Sequence, residues 1–562
     1  MRNWLSLTCY LLLIIGLASM ETGTVRASGP NSPQVGDSTS AAQDEDQDST
    51  TEPQLTVSYT GGALTYHYSA DRDGLNNLES ILTPSNVNSN SFGKVHFFAV
   101  DGKVDAQPLY VFKLLGSSNI KNSLLIATEH GSVYSFAAIA GTQRWKVSTI
   151  PAGETPSDDR SCSQVTPEIG ITATPVIDRT RGPSGAIYLV AMSKDSGGNY
   201  HQRLHALDLK TGAELFGGPV EIRATYPGRG DEGNNGNQIF APGQHEVRAG
   251  LLELGGIIYM AFTSHCDHNP YTGWIMAYNA QNLEQTAVLN VTPNGDAGGI
   301  WMAGTGLAAD SGGYIYFLIG NGTFDTTLTA QGLPINGDYG NAFMKVSTSG
   351  GLTVADYFNM HNTVQESNSD EDLGSGGAIV LPDLKDNNGL VHHLAVGAGK
   401  DTNLYVVNRD NMGKFNPNND SAIYQELVGA LPGGVWANPA YFNNTIYYGS
   451  VGNPLKAFPI SNAMLATSPS SKTSTSFGYP GVSPAVSANG ISNGIVWAVE
   501  NSNPAVLHAY DATNLAKELY NSNQAGSRDQ FGPGNKFITP VIVNGRVFVG
   551  TQTGVAEFGL LP

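Results

Sequence analysis

Short apolar runs separated by polar turns repeat along this chain as a unit of four strands. The clearest unit runs from TPVID (Thr174–Asp178) through AIYLVA (Ala186–Ala191) to RLHALDLKTGAELF (Arg203–Phe216). An apolar strand opens each unit, often at a proline. A strand rich in Val, Ile and Tyr follows, then a third strand of the type Leu-x-Ala-φ-Asp/Asn, where φ is apolar. A period of roughly 45 residues with four short strands is typical of a β-propeller.

The unit occurs eight times, so the sequence predicts an all-β fold, an eight-bladed β-propeller with four antiparallel strands per blade. The predicted first strands lie near Pro108, Pro175, Leu251, Leu307, Ile379, Pro439, Pro484 and Pro540. No fourth strand follows VAEFGLL (Val555–Leu561) in the last blade. The strand-like segment FGKVHFFAVDG (Phe92–Gly102) precedes the first blade, and we expect it to pair with the last strand and cover an otherwise open edge.

Composition fits an all-β chain dense in turns, with 67 glycines and 14% charged residues. The formal charge of −19 makes nucleic acid an unsuitable partner, since binding it requires a basic surface. No cluster of Lys and Arg indicates attachment to anionic lipid. We expect a monomer.

Residues 1–27 read as a signal peptide, because WLSLTCYLLLIIGLA (Trp4–Ala18) is an apolar stretch too short for a comfortable membrane span. The alternative is an uncleaved membrane anchor. If residues 1–27 are removed, we expect no transmembrane segment in the mature chain. Residues 28–60 are rich in Ser, Asp, Gln and Pro and predict a disordered spacer. The propeller is assigned to residues 61–562, although the stretch up to about residue 90 also reads mainly as spacer. We expect an exported protein, periplasmic or extracellular.

Cys162 and Cys266 remain after removal of the signal peptide. Cys162 precedes the first strand of blade 2, and Cys266 lies between the second and third strands of blade 3. In a four-stranded blade these two kinds of loop share one face, so neighbouring blades bring the cysteines together. An exported chain favours a disulfide between them; the alternative is two buried thiols.

The same topology gathers unusual polar and aromatic residues at one mouth of the central channel. The opposite face carries mostly ordinary turns such as DLKTG (Asp208–Gly212). We predict that this mouth binds a small molecule, a glycan or a protein partner. The candidate ligand-binding residues are Glu168, His265, Asp267, Trp301, Asp372, Lys400, Asp401, Trp436 and Lys536.

Several of these candidates have a structural alternative. His265 and His268 flank Cys266 and Asp267 without a zinc spacing, so no metal ligands are assigned. Lys400 and Lys536 suit an anionic ligand but equally suit structural ion pairs. Trp301 and Trp436 suit stacking on a flat ring or a sugar, or packing between blades. No catalytic residue can be assigned from a motif.

The phrase LHALDLKTG (Leu204–Gly212) resembles the repeat of the pyrroloquinoline-quinone (PQQ) propeller family, which includes quinoprotein alcohol dehydrogenases and the outer-membrane barrel-assembly lipoprotein. The whole chain also resembles a group of exported bacterial PQQ-like propellers. The resemblance covers about residues 60–562. It is carried by PEIGITATPVID (167–178), SHCDHNPYTGW (264–274), GGIWMAGTGLAAD (298–310) and VNRDNMGKFN (407–416).

The resemblance implies an eight-bladed fold and, as an alternative function, a divergent oxidoreductase that uses PQQ and calcium to oxidise alcohols or sugars. The chain departs from the dehydrogenases because it has no adjacent cysteine pair, on which those enzymes stack their cofactor. It departs from the assembly lipoprotein because it lacks a lipobox. The sequence therefore leaves open whether the protein is an enzyme or a binding protein.

Overall fold

The computed structural model describes residues 62–114 and 122–562, which form eight four-stranded blades arranged as a β-propeller. The prediction of an all-β, eight-bladed propeller is confirmed. The predicted signal peptide and most of the predicted spacer lie outside the described residues. In each blade the strands pair in order, so the first strand lines the central channel and the fourth lies at the rim.

Blades 1 to 4 occupy the first half of the ring. Blade 1 contains Leu109–Val111, Ser123–Ala127, Ser132–Ala137 and Gln143–Ser148. Blade 2 contains Val176–Asp178, Ala186–Lys194, Tyr200–Asp208 and Val220–Glu221. Blade 3 contains Leu252–Leu254, Ile257–Ser264, Trp274–Asn279 and Gln285–Asn290, and blade 4 contains Ala308–Ala309, Tyr314–Leu318, Phe343–Ser347 and Thr353–Asn359.

Blades 5 to 8 complete the ring. Blade 5 contains Ala378–Val380, Leu394–Gly397, Leu404–Asn408 and Gln425–Leu427. Blade 6 contains Ala440–Phe442, Thr445–Tyr448, Asn453–Ser461 and Ser471–Phe477. Blade 7 contains Ala485–Asn489, Ser492–Glu500, Val506–Asp511 and Glu518–Asn521, and blade 8 contains Val541–Val543, Arg546–Gly550, Gly554–Leu560 and Phe92–Ala99.

Shorter strands and helices lie in the loops that connect the blade strands. The short strands are Leu75–Asn76, Thr155–Asp158, Glu168–Ile169, Thr225–Pro227, Gly233–Asn234, Asn237–Ile239, His245–Val247, Leu384–Lys385, Val391–His392, Lys414–Phe415 and Met464–Leu465. An α-helix spans Thr363–Asn368, and 3-10 helices span Met302–Gly304, Leu373–Ser375 and Ser522–Asp529. Within the described ranges, no helix has the length and apolar character needed to cross a membrane.

The N-terminal strand closes the ring as predicted. Phe92–Ala99 runs antiparallel to Gly554–Leu560, with Phe92 opposite Leu560 and Ala99 opposite Gly554. This strand supplies the fourth strand of blade 8 and pairs the edge that would otherwise lie open.

Inner strands are buried on both faces because each blade packs between two neighbours. Ala186–Lys194 is buried along almost its whole length, whereas the rim strand Gln143–Ser148 is largely exposed. This explains why inner strands read as continuous apolar runs rather than alternating ones. Apolar clusters fill every junction, including the one between blades 8 and 1, where the ring centroids of Phe98 and Phe136 lie 5.2 Å apart.

Residues 62–79, which we call the central segment, fill the channel at the end opposite the mouth. The segment winds around the axis and forms hydrogen bonds with all eight blades. Leu64 O accepts from Ile177 N, Asp71 O accepts from Val380 N, and Leu75–Asn76 pairs in parallel with Val486–Ser487. In ring order from blade 1 to blade 8, its partners include Tyr110, Ile177, Leu251, Ala309, Val380, Tyr441, Val486 and Ile542.

The prediction that the chain is mainly spacer up to about residue 90 is therefore wrong for residues 62–90. The central segment is held by hydrogen bonds rather than by an apolar stripe, so strand periodicity does not reveal it. After it, Leu82 and Val87 are buried in the core of blades 7 and 8. The folded part of the chain begins well before the closing strand.

Candidate functional site

The loops that lead into the first strands and the loops between second and third strands meet at the mouth of the channel. Between the loops of blades 2 to 7 lies a cavity of about 270 Å³, which we call the main cavity. It is lined by Gln164, Thr263, Ser264, Cys266, Asp267, Tyr271, Gly299, Trp301, Gly320, Asn321, Asp370, Asp372, Gly374, Ser375, Lys400, Trp436 and Tyr479.

Aromatic side chains form a continuous cluster at this mouth. Trp436 contacts Tyr479 with 5.6 Å between ring centroids, and Trp301 contacts Phe537 edge-to-face at 5.1 Å. Tyr479 and Phe537 complete the chain of contacts, with centroids 6.1 Å apart. Trp301, Trp436 and Tyr479 are only partly buried, so part of each ring faces solvent in the cavity. The cluster can hold a ring placed against it.

Lys400 is neutralised by two aspartates within the main cavity. Its Nζ forms ion pairs with Asp370 and with Asp372 Oδ1, the second at 2.8 Å. Burial opposes the charged ammonium, but Asp372 and Asp370 outweigh it and raise the pKa of Lys400 above its usual range. Burial also raises the pKa of Asp372, although Lys400 reduces that effect. Lys400 is therefore a structural ion-pair partner, which was the alternative to a ligand-binding role. Its charge is not free to bind an anionic ligand.

The disulfide shapes the neighbouring wall of the cavity. Cys162 and Cys266 are joined as predicted, with their Cα atoms 5.5 Å apart. Cys266 and the adjacent Asp267 both adopt positive φ angles, of 51° and 54°. Tyr271 donates its hydroxyl hydrogen to Asp267 Oδ1 at 2.8 Å. The cross-link and this hydrogen bond together hold the Asp267 carboxylate at the edge of the cavity.

A second cavity of about 560 Å³ adjoins the main cavity on the side of blades 8, 1 and 2. Gln164 lines both cavities. Lys536 lies in the second cavity, where its Nζ donates to Ser163 O at 3.0 Å and to Gln164 Oε1 at 3.1 Å. Glu168 also lines it and pairs with His130 Nδ1 at 2.9 Å.

Beneath the mouth lies a largely buried group of five charged residues and one asparagine, which we call the inner polar cluster: Lys103, Asp105, Glu129, Glu246, Arg248 and Asn535. Asp105 accepts from Asn535 Nδ2 at 2.8 Å and pairs with Lys103 Nζ at 3.1 Å. Although burial opposes its ionisation, Lys103 and Arg248 hold the pKa of Asp105 below its usual value. Asp105 is therefore the ionised carboxylate of the cluster.

The other two acids of the inner polar cluster are held towards their neutral forms. Burial raises the pKa of Glu129 well above its usual value, and the nearby Asp105 charge raises it further. Burial likewise raises the pKa of Glu246 to about 7, although Arg248 opposes this. Burial lowers the pKa of the adjacent His265 to about 3. Its Nδ1 lies 3.5 Å from Glu246 Oε2.

Arg248 is the unusual member of the inner polar cluster. Only 2% of the residue is exposed, yet its side chain makes no hydrogen bond or ion pair with any other described residue. Its guanidinium carbon lies 4.9 Å from the ring centroid of Phe537. Phe537 itself has a positive φ of 63°, an uncommon conformation for an aromatic residue. Phe537 thus contacts both the buried guanidinium and the rings of Trp301 and Tyr479.

The structure places the nine sequence-predicted residues in three environments. Asp267, Trp301, Asp372, Lys400 and Trp436 line the main cavity, and Glu168 and Lys536 line the second cavity. His265 is buried behind the wall, where it hydrogen-bonds His245 O at 3.0 Å. Asp401 also lies behind the wall and accepts a hydrogen bond from Tyr405, so neither of these two side chains reaches a cavity.

Several residues of the mouth escaped sequence analysis, among them Asp105, Glu246, Arg248, Tyr479 and Phe537. The charged residues occur in KVDAQP (103–108) and HEVRAG (245–250), immediately before first strands that line the channel. Charged residues that lead into a channel-lining apolar strand are the signal that could have found them. Nothing in the repeat pattern distinguishes Tyr479 or Phe537 from core aromatics.

The residues present do not fit a bound calcium ion and an anionic quinone. Among the described residues, no three His, Cys, Asp or Glu side chains converge in a way that could hold a metal ion. The main cavity presents three carboxylates and a single ammonium group, which pairs with two of them. An acidic cofactor such as PQQ would meet repulsion there, so no redox step is derived from this site.

In overall structure the chain is similar to solved dehydrogenases. The quinohemoprotein alcohol dehydrogenase ADHIIG from Pseudomonas putida HK5 is 13% identical with a TM-score of 0.57, and the match covers 89% of this chain and 80% of that chain. The quinohemoprotein alcohol dehydrogenase from Comamonas testosteroni gives the same four values. A europium-containing methanol dehydrogenase is 12% identical with a TM-score of 0.58, over 89% of this chain and 98% of that chain.

At this level of identity, the likeness establishes the fold that the repeat predicted. No family model and no curated protein matches the chain in sequence.

Proposed function

We propose that the protein binds a glycan at the mouth of its central channel. The observation that carries this proposal is the main cavity, whose lining combines the partly exposed rings of Trp301, Trp436 and Tyr479 with the carboxylates of Asp267, Asp370 and Asp372. Binding sites commonly combine aromatic side chains with a few placed polar groups that fix orientation. We further propose that the protein acts outside the cytoplasm, because residues 1–27 predict export. We also propose that it is a monomer.

Sugar chemistry matches both features of this cavity. The apolar face of a pyranose ring packs on an indole, and its hydroxyls donate hydrogen bonds to carboxylates. Such charge-assisted hydrogen bonds are about twice as strong as neutral ones. Asp267 and Asp370 have exposed side chains at the cavity edge, where they can accept these hydrogen bonds. A neutral polyhydroxylated ring requires no cation and meets no repulsion from the acidic floor.

A second candidate function is a divergent quinoprotein oxidoreductase. The fold favours it, because the similar solved structures are quinohemoprotein alcohol dehydrogenases and a methanol dehydrogenase. The donor groups of the main cavity speak against it, as described above. A thermal-shift screen with PQQ and calcium tests this candidate directly: a saturable rise in melting temperature would favour it over glycan binding.

The glycan proposal is tested by titrating the protein with neutral oligosaccharides and following tryptophan fluorescence and heat of binding. Trp436→Ala should weaken binding by about 30-fold, the size of effect typical of a central aromatic contact, with little change in melting temperature. Trp145→Ala is the matched control. Trp145 lies on blade 1 and donates to Leu209 O of blade 2, so its loss should lower the melting temperature without affecting binding. Absence of binding by any neutral or acidic oligosaccharide would contradict the proposal.

A further inference from the structure

The two cavities of the mouth differ in the state of their lysines. In the main cavity, Lys400 lies between Asp370 and Asp372 and pairs with both. The second cavity is lined by the acids Asp101 and Glu168 and by Lys103 and Lys536. A ligand that spans the mouth would therefore meet a neutralised lysine on one side and Lys536 on the other.

Lys536 forms no ion pair with a carboxylate of the described residues. Both of its hydrogen-bond acceptors, Ser163 O and Gln164 Oε1, are uncharged. In residues 62–114 and 122–562, no carboxylate oxygen lies within 4.0 Å of its Nζ, although other lysines of the mouth have such partners. Burial lowers the pKa of Lys536, and the positive charges of Lys103 and Arg248 lower it further. An anion beside Lys536 would relieve this repulsion.

The other charged side chains that line the second cavity already have partners. Lys103 pairs with Asp105 at 3.1 Å, and Asp101 pairs with Lys146 at 2.8 Å. Glu168 lies 2.9 Å from His130 Nδ1. Among the described residues, Lys536 is therefore the charged side chain of this cavity that has no ion-pair partner.

Gln164 and Tyr479 connect the two cavities. Gln164 lines both cavities, and the hydroxyl of Tyr479 donates to Gln164 Oε1 at 3.4 Å. Lys536 Nζ lies 5.8 Å from the ring centroid of Tyr479, whose side chain also lines the main cavity. A sugar ring packed against Trp436 and Tyr479 would place its next unit beside Lys536.

We propose that the second cavity is a subsite for an anionic group of the ligand, so that the glycan is acidic, with one unit that carries a carboxylate or a sulfate ester. This inference rests on the proposed function and specifies its ligand class. The neutral unit occupies the main cavity, and the anionic unit pairs with Lys536. The carboxylates of the main cavity exclude the anionic unit from that side and so fix the direction of binding.

The experiment compares a neutral oligosaccharide with the same oligosaccharide carrying one terminal uronic acid, and with its sulfated form, by isothermal titration calorimetry on the full chain. We expect the acidic form to bind on the order of tenfold more tightly, with a preference that declines as salt is raised. Lys536→Gln should remove this preference and leave affinity for the neutral form unchanged. Lys210→Gln, on the opposite face in the turn after Tyr200–Asp208, is the matched control and should preserve the preference.

Gln164→Glu provides a second variant, because its carboxylate would pair with Lys536 in place of the ligand. Gln164→Glu should also remove the preference for the acidic oligosaccharide, and it provides this test even if Lys536→Gln folds poorly. Equal affinity for neutral and acidic forms in the wild-type protein, or a preference retained in both variants, would overturn the inference while leaving glycan binding intact. Failure of every oligosaccharide to bind would instead contradict the proposed function itself. A preference for the carboxylate or for the sulfate identifies the anionic group.

Discussion

Two buried arginines of the channel differ in their hydrogen bonding. Arg72, in the central segment, donates to Leu307 O at 2.8 Å, Leu251 O at 3.2 Å and three acceptors within its own segment. Arg248, nearer the mouth, has no hydrogen-bond partner among the described residues. Both residues are at least 98% buried, with exposures of 0% and 2%. Burial alone therefore does not indicate what a charged residue does.

The difference separates a structural end of the channel from the end where we propose that the ligand binds. Burying a charged group without partners is costly, so an arrangement that satisfies every donor stabilises the fold. Arg72 ties the central segment to blades 3 and 4 in this way. Arg248 makes no hydrogen bond with the described residues; its guanidinium lies over the ring of Phe537 and acts on Asp105 and Glu246 through its charge. Hydrogen bonds thus fix Arg72 at the closed end, whereas Arg248 at the open end interacts through charge and through an aromatic ring.

The largest expected effect comes from removing the central segment. Deletion of residues 62–79 removes hydrogen bonds to all eight blades and exposes the inner strands to water, so we expect no folded monomer. Deletion of residues 28–60 is the matched control and leaves these hydrogen bonds in place. Size-exclusion chromatography and circular dichroism of the two variants measure the contrast. Equal solubility and equal melting temperatures would show that the central segment does not hold the ring together.

Replacing each of the two arginines by methionine tests whether their different hydrogen bonding matters for stability. Arg72→Met should lower the free energy of unfolding by about 3–5 kcal/mol, because buried carbonyl groups of three chain segments lose their donor. Arg248→Met should lower it by less, since it breaks no hydrogen bond and Asp105 keeps Lys103 as its ion-pair partner. Urea unfolding of both variants measures the difference. Equal destabilisation by the two substitutions would mean that Arg248 has a structural role like that of Arg72.

The disulfide at the mouth should have an effect of similar or slightly smaller size. It closes a loop with a sequence separation of 104 residues, and the chain-entropy model gives about 4–5 kcal/mol for such a loop. We expect the Cys162→Ala/Cys266→Ala double variant to lose about 3–4 kcal/mol. Thiol titration of the denatured, unreduced chain without residues 1–27 should find no free cysteine, and two titratable thiols would show that the bond does not form.

The inner polar cluster predicts that the stability of the protein depends on pH through Glu246. Burial raises the pKa of Glu246 from 4.5 to about 7, so the folded protein retains a proton that the unfolded chain releases. Its contribution to stability is fully present below about pH 4.5 and is lost as pH rises towards 7, by about 2–3 kcal/mol.

Glu246→Gln keeps a neutral side chain at every pH and should remove this part of the slope. Urea unfolding of both proteins at pH 5 and pH 8 isolates the contribution, because other titrating groups are common to the two. The wild-type protein should lose more stability than the variant between these values. An identical change in both proteins would place the pKa of Glu246 outside this range.

The sequence predicted the ring because each blade repeats the same pattern of apolar and polar positions. The pattern of one blade is weak evidence for a propeller, but eight copies at a regular spacing are strong evidence. It predicted which loops share a face because propeller topology fixes this once the strands are assigned. It did not predict the central segment, since residues such as Ala63, Asp71 and Gly74 are recruited through backbone groups that any residue carries. It also did not distinguish Lys400, which is neutralised, from Lys536, which is not, because ion pairing depends on distances between loops of different blades.

The smallest expected effect is at the face opposite the mouth. Asp208 lies at the turn after the third strand of blade 2, where its Oδ1 accepts hydrogen bonds from Lys210 N and Thr211 N at 3.0 and 2.9 Å. Asp208→Asn keeps an acceptor for these hydrogen bonds, so we expect a loss of stability below about 1 kcal/mol and no change in glycan affinity. Asn544, in the first turn of blade 8 on the same face, should likewise tolerate replacement by Gly, since its φ is 53°. Isothermal titration with the oligosaccharide that responds to Trp436→Ala measures both variants. A loss of affinity in either one would place the binding site away from the mouth, and the contrast between a structural and a functional end of the channel would then fail.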